Sequence, residues 1–153
     1  MPWERGGRKK TLVLTIDSGA SENVIGPHAV PICPTRPSAG SIAGVTYVIA
    51  DGTVMPNRGE QRVRVKTREG HLCELKMQVT DVRKPLVSVS KICDAGHSVT
   101  FRSDGGEILD ERTGQVTKFN RVDDVYRLVV ELPEGEVYQD LHGTKKGFSR
   151  QGM

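Results

Sequence analysis

Residues 11–25, TLVLTIDSGASENVI, decide how the rest of the chain is read. Leu12, Val13, Leu14 and Ile16 form a run too short for a helix and too continuous for an exposed strand. Such a run predicts a strand buried on both faces. It ends at Asp17-Ser18-Gly19-Ala20: an acid, a hydroxyl and two small residues at the mouth of the strand. A carboxyl held there is partly withdrawn from water, which favours its neutral form. An isolated Asp-Ser-Gly is more often an ordinary turn than a site, so the decision falls to the remaining sequence.

The chain has 153 residues, about one domain with a real core. Apolar residues make up 36% and aromatics 5%, so that core is expected to be aliphatic and modest, and association with a partner would supplement it. The formal net charge is only +3. Basic residues gather at Arg5, Arg8, Lys9 and Lys10 and again at Lys145, Lys146 and Arg150, which read as solvated ends and as the only places where nucleic acid could touch. Cys33, Cys73 and Cys93 lie far apart with no C-x-x-C spacing, and the histidines are equally scattered. This argues against a disulfide framework and a zinc site, and no metal or cofactor is expected. There is no apolar run of membrane length and no signal-peptide core, so an intracellular, cytoplasmic protein without a membrane partner is expected.

Residues 1–10 read as a disordered basic lead-in. His28 to Ala39 carries Pro31, Pro34 and Pro37 and reads as a surface loop. Two short apolar runs flank Asp51-Gly52, a strong hairpin signal, over Gly44–Ala50 and Thr53–Met55. Glu60–Thr67 alternates around Val63 and Val65 as a half-exposed antiparallel strand does. His71–Thr80 alternates back with Cys73, Leu75, Met77 and Val79 on one face, where Cys73 reads as core rather than as a reactive thiol. Leu86-Val87 looks like a buried strand end. Ser88 and Ser90 are candidate caps for a short helix over Val89–Ala95, and Gly96 is placed to stop it. Further strands follow at Val99–Phe101, Glu107–Asp110, Gln115–Phe119 and Val125–Leu132, and a polar tail follows Pro133. The count is mostly β with one short helix, which predicts a small closed or nearly closed β-barrel.

One Asp is a poor catalyst of amide hydrolysis, which needs a base for water and an acid for the carbonyl oxygen. Two carboxylates a few Å apart do both, because they share one proton and their pKa values split. A chain with one suitable Asp can build that pair by two-fold symmetry. Gly19 would let two such turns approach, Ser18 could bond across the axis, and the Tyr47–Met55 hairpin could serve as a lid. The other carboxylates fit this role less well. Asp110 comes nearest, but Glu111 and Arg112 follow it, as in an exposed turn.

With these residues assembled, the chain resembles the retropepsin-like aspartic proteases, and among them the protease of copia-type retrotransposon polyproteins. Asp17-Ser18-Gly19-Ala20-Ser21 is similar to the family's catalytic motif, and Ala50-Asp51-Gly52 to its flap segment. Asp81-Val82 and Pro85 to Ile92 resemble the run that leads into the family's helix, and Gly96, Val99 and Phe101 continue it. Thr113-Gly114 and Val125-Tyr126-Arg127-Leu128 resemble its ending. Where most retropepsins carry glycine before the helix, Ser88 stands here, as in copia-type sequences, and Arg83-Lys84-Pro85 is shorter and more basic than the usual apolar stretch.

The resemblance implies a two-fold symmetric homodimeric barrel with one Asp17 per subunit, flaps closing on an extended peptide, and cleavage by water without a covalent intermediate. Asp17, Ser18 and Gly19 would be the catalytic set. Ala20, Ala50, Asp51, Gly52, Leu86 and Val87 would bind substrate. The implied organisation is a protease domain over 11–102, an additional C-terminal β-hairpin over 103–132 packed on it, and a flexible tail over 133–153, the dimer strands being supplied by Val99–Phe101 and the hairpin. The substrate would be the chain's own polyprotein, in the cytoplasm or a virus-like particle. The alternative is a catalytically inactive binding or dimerisation module on the same scaffold.

Overall fold

A computed structural model describes residues 10–49 and 51–133. The expected lead-in up to residue 9, the tail from residue 134, and Ala50 of the hairpin lie outside the described residues.

The first strand, β1 (Lys10–Asp17), turns Leu12, Leu14 and Ile16 into the core. It is not buried on both faces as the apolar run suggested, since Val13 is 44% exposed. Val13 pairs in register with Val129 on the outer side of the sheet wall, which no described element covers. β2 (Val24–Ile25), β5 (Gly59–Lys66), β6 (Leu72–Val79), β7 (Leu86–Ser88) and β11 (Val125–Leu132) form the rest of that wall. In space the order is β1-β7-β2-β6-β5-β11, and β11 pairs with β1, so the sheet turns back on itself. The return is partial: the ladder between β5 and β11 is a single register pair, Lys66 with Glu131. Alternation does the filling, as Val63, Val65, Cys73, Leu75, Met77 and Val79 enter the core from β5 and β6. Each fully buried aliphatic side chain there stabilises by roughly 1.5–3 kcal/mol relative to exposure.

The sheet continues from β11 through β10 (Val116–Val122) and β9 (Gly105–Asp110) to β8 (His97–Arg102), its outermost strand. The C-terminal hairpin is thus part of the wall. Its last strand runs antiparallel to β1 from Arg127 opposite Thr15 to Leu132 opposite Lys10. Phe101, Phe119 and Tyr126 meet edge to face at its far end.

Helix α2 (Val89–Asp94) forms where the sequence predicts it. Ser88 caps it by accepting from the Lys91 N–H, Ile92 enters the core, and Gly96, at φ +93°, follows its end. The expectation of a single helix is corrected by α1 (Ala39–Ala43), set by a reciprocal Ser38–Ser41 capping box and a left-handed Gly44. This helix buries none of its residues, so it leaves no apolar period to read. The Pro-rich segment before it is not wholly surface either, because Val30 and Cys33 are core residues. A separate two-stranded hairpin, β3 (Thr46–Val48) with β4 (Val54–Pro56), pairs Tyr47 with Met55.

Candidate active site

Asp17 is the last residue of β1 and is half-buried. Parallel pairing with β7 sets Thr15 beside Leu86, Ile16 beside Val87 and Asp17 beside Ser88. One carboxylate oxygen, Oδ1, accepts the Gly19 N–H at 2.8 Å, closing a tight turn that leaves Ser18 and Gly19 exposed and Ala20 half-buried. Among the described residues Asp17 makes no hydrogen bond outside this turn, and no second carboxylate is paired with it.

The turn is held from behind. Ser88, fully buried, donates its hydroxyl to the Ala20 carbonyl at 2.7 Å. Asn23, also buried, accepts the Ser88 N–H at 2.7 Å through Oδ1 and donates through Nδ2 to the Lys76 carbonyl at 3.2 Å. On the outer side Glu22 faces Lys91 of α2 at 3.8 Å. Leu86 is half-buried beside the turn, whereas Val87 points into the core at 3% exposure.

The hairpin stands on a second buried amide. Asn57 Nδ2 donates to the Tyr47 hydroxyl at 3.0 Å and to Gln78 Oε1 at 2.9 Å, while its Oδ1 accepts from the Ser38 hydroxyl and the Gly59 N–H. Burial holds the Tyr47 phenol above its ordinary pKa, against the Asn57 hydrogen bond and with help from the Glu22 charge. At the tip, hydrogen bonds from Thr53 hold the Asp51 carboxyl below its ordinary value, its N–H at 2.8 Å from Oδ1. The Gly52 N–H donates to the Ile49 carbonyl.

Between the Asp17 loop, the start of α1, β5, β6 and α2 runs a polar groove of about 340 Å³. The sequence reading missed it, and it also missed Asn23 and Asn57, whose roles depend on which strands become neighbours. Asp110 is likewise corrected: it is 7% exposed rather than in an open turn, and it accepts the Arg112 and Thr113 N–H groups. It shares a small cleft with His71, His97 and Thr117, where His97 Nε2 lies 3.9 Å from it. Among the described residues no group of three His, Cys, Asp or Glu side chains could hold a metal ion. Cys73 is core, with burial pushing its thiol pKa to about 12. Among the described residues no helix is long and apolar enough to cross a membrane.

Comparison with protein-family models, with curated proteins and with solved structures finds no match to this chain.

Proposed function

We propose that this chain is one subunit of a homodimeric aspartic endopeptidase of the retropepsin-like, copia-type kind, which cleaves its own retrotransposon polyprotein inside the cell. The observation that carries the reading is the Asp17-Ser18-Gly19 turn: exposed in front, tied from behind by Ser88 and Asn23, and with no second carboxylate paired to Asp17 among the described residues. Gly19 supports it further. Among the described residues a Cβ there would meet only Asp17 Oδ1, at 3.5 Å, so none of them demands glycine. A second copy of the turn opposite it would. The outermost strand β8, with Val99 and Phe101, has one edge paired with no other described strand, which suits the same two-fold association.

In the dimer two Asp17 carboxyls share one proton. The ionised one takes a proton from water as its oxygen attacks the peptide carbonyl, and the protonated one gives its proton to the carbonyl oxygen. The diol then collapses: one hydroxyl returns a proton to the carboxylate that gave one, the C–N bond breaks, and the amine leaves with the proton of the other carboxyl, which restores the shared-proton pair. Ser18 braces the paired turns. The backbone of Ala50, Asp51 and Gly52 grips the extended peptide, which lies against Ala20 and Leu86, with Val87 behind them.

The test uses the full chain on peptides spanning its flanking polyprotein sequence at mildly acid pH, with Asp17→Asn as the comparison. Cleavage by the parent and none by the variant is expected, together with a dimer in sedimentation. Equal behaviour of the two proteins, or a strict monomer that cleaves, would end the proposal; a dimer that binds peptide without cleaving it would be an inactive binding module.

A further inference from the structure

We infer that the polar groove beside the Asp17 loop is a specificity pocket for an uncharged amide side chain, Gln or Asn, of the bound peptide. This rests on the endopeptidase reading for its substrate class and on the groove alone for its chemistry.

The groove is tied to the site through two elements. Glu22 and Asn23 belong to the loop that leaves Asp17, and Gln78 reaches the hairpin base through Asn57 and Tyr47. In this reading the peptide that crosses Asp17 beneath the hairpin runs on along the Glu22 side of the loop and reaches the groove there. At about 340 Å³ it has room for a whole side chain.

About half of its exposed surface is apolar, from Ala39 and the side-chain stems, and its two lysines are matched by two glutamates. Lys91 Nζ lies 3.8 Å from Glu22 Oε2, and Lys76 Nζ lies 3.8 Å from Glu60 Oε1. Both separations exceed direct hydrogen-bond length, so each head group keeps capacity for a guest. Gln78 also lines the groove: its Oε1 is taken by Asn57, while its Nε2 donates to no described residue.

A guest amide matches this set. Its carbonyl oxygen accepts from Gln78 Nε2 or a lysine, and its N–H₂ donates to a glutamate. A guest cation meets Lys76 and Lys91, a guest anion meets Glu22 and Glu60, and each must displace an existing partner. An aliphatic guest covers the Gln78 donor without replacing the water it loses. Sites built on hydrogen bonds reject analogues lacking them strongly, and this groove, open to water, is expected to discriminate by about tenfold or more.

The experiment uses full-length Asp17→Asn protein, so that binding is read without turnover. The probes are fluorescent twelve-residue peptides from the flanking polyprotein sequence, with Gln, Leu, Glu or Lys placed at one position at a time. At one position Gln should bind about tenfold more tightly than Leu. Lys91→Met, which leaves Glu22 unpaired, should move the preference there towards Lys, and Glu22→Gln should move it towards Glu. Flat preferences at every position, no peptide binding, or a preference that neither variant moves would overturn the inference. Cleavage of the same peptides by the Asp17 protein separates the two readings. Amide-selective binding without cleavage leaves the groove and removes the endopeptidase, and cleavage without amide selectivity does the reverse.

Discussion

The Ser88 hydroxyl donates to the carbonyl of Ala20 at 2.7 Å, tying the residue that caps α2 to the loop that carries Asp17. A hydroxyl in a fully buried position has to find partners, and this one also accepts the Lys91 N–H and lies 2.9 Å from the Ser90 hydroxyl. Ser88→Ala removes a helix cap, which costs about 1 kcal/mol. It also leaves the Ala20 carbonyl without this donor, for a further cost of about 1 kcal/mol. Urea denaturation should show a loss of about 2 kcal/mol, and peptide cleavage should fall by more than the folded fraction does. An unchanged midpoint would mean that the loop is held by Asn23 alone.

Asn57 joins four elements through one side chain, and the hairpin depends on it through Tyr47. Replacing it by Ala strands the Gln78 carbonyl oxygen and the Gly59 N–H in a buried place, at a cost of roughly 2–4 kcal/mol for such a network. The local signature is hydrogen exchange at the Ile49 and Gly52 amides, which bond within the hairpin and should exchange much faster. Equal acceleration in β6 would show general loosening instead.

Much of this scaffold was legible because its signals are local. Alternation placed Cys73, Leu75, Met77 and Val79 on the core face, Asp51-Gly52 marked the hairpin, and Ser88 with Gly96 bracketed α2. What was not legible depends on neighbours far away in sequence. Whether Val13 is covered depends on what lies outside the β1–β11 pair, and no composition of a four-residue run contains that fact. Asp110 looked exposed because charges follow it, yet its turn folds back so that two N–H groups and His97 surround the carboxylate. Helix α1 has only caps to announce it. Asn23 and Asn57 became site residues through partners more than twenty positions away for Gln78 and more than fifty for Lys76 and Ser88.

Burial acts on Asp110 to raise its carboxyl pKa, but the Arg112 and Thr113 N–H groups, with the His97 and Arg112 charges, bring it below the ordinary value. A carboxyl depressed in the folded state contributes stability that is present above its unfolded pKa and lost as the pH falls through the folded value. Asp110→Asn keeps an acceptor for the turn but cannot titrate. The stability gap between parent and variant should be widest near neutrality and should shrink on acidification below about pH 4. A gap that stays constant into strong acid would show that the turn bonds, rather than the charge, carry the role of Asp110.

Gly19→Ala separates the fold from the proposed dimer. Inside one chain the added methyl meets Asp17 Oδ1 at 3.5 Å, an ordinary contact, and the Gly19 backbone is outside the left-handed region. Folding stability of the isolated chain should therefore change by no more than about 0.5 kcal/mol. Where two turns face each other across an axis, the same substitution sets two methyl groups into the closest approach of the subunits. Overpacking of a tight contact costs about 1–3 kcal/mol, so association should weaken by roughly tenfold or more. Sedimentation equilibrium reads that loss directly, and cleavage should fall with the dimer fraction and recover at high protein concentration. A variant that dimerises and cleaves like the parent would place the turn away from the interface, and Asp17 could not then be meeting its own copy.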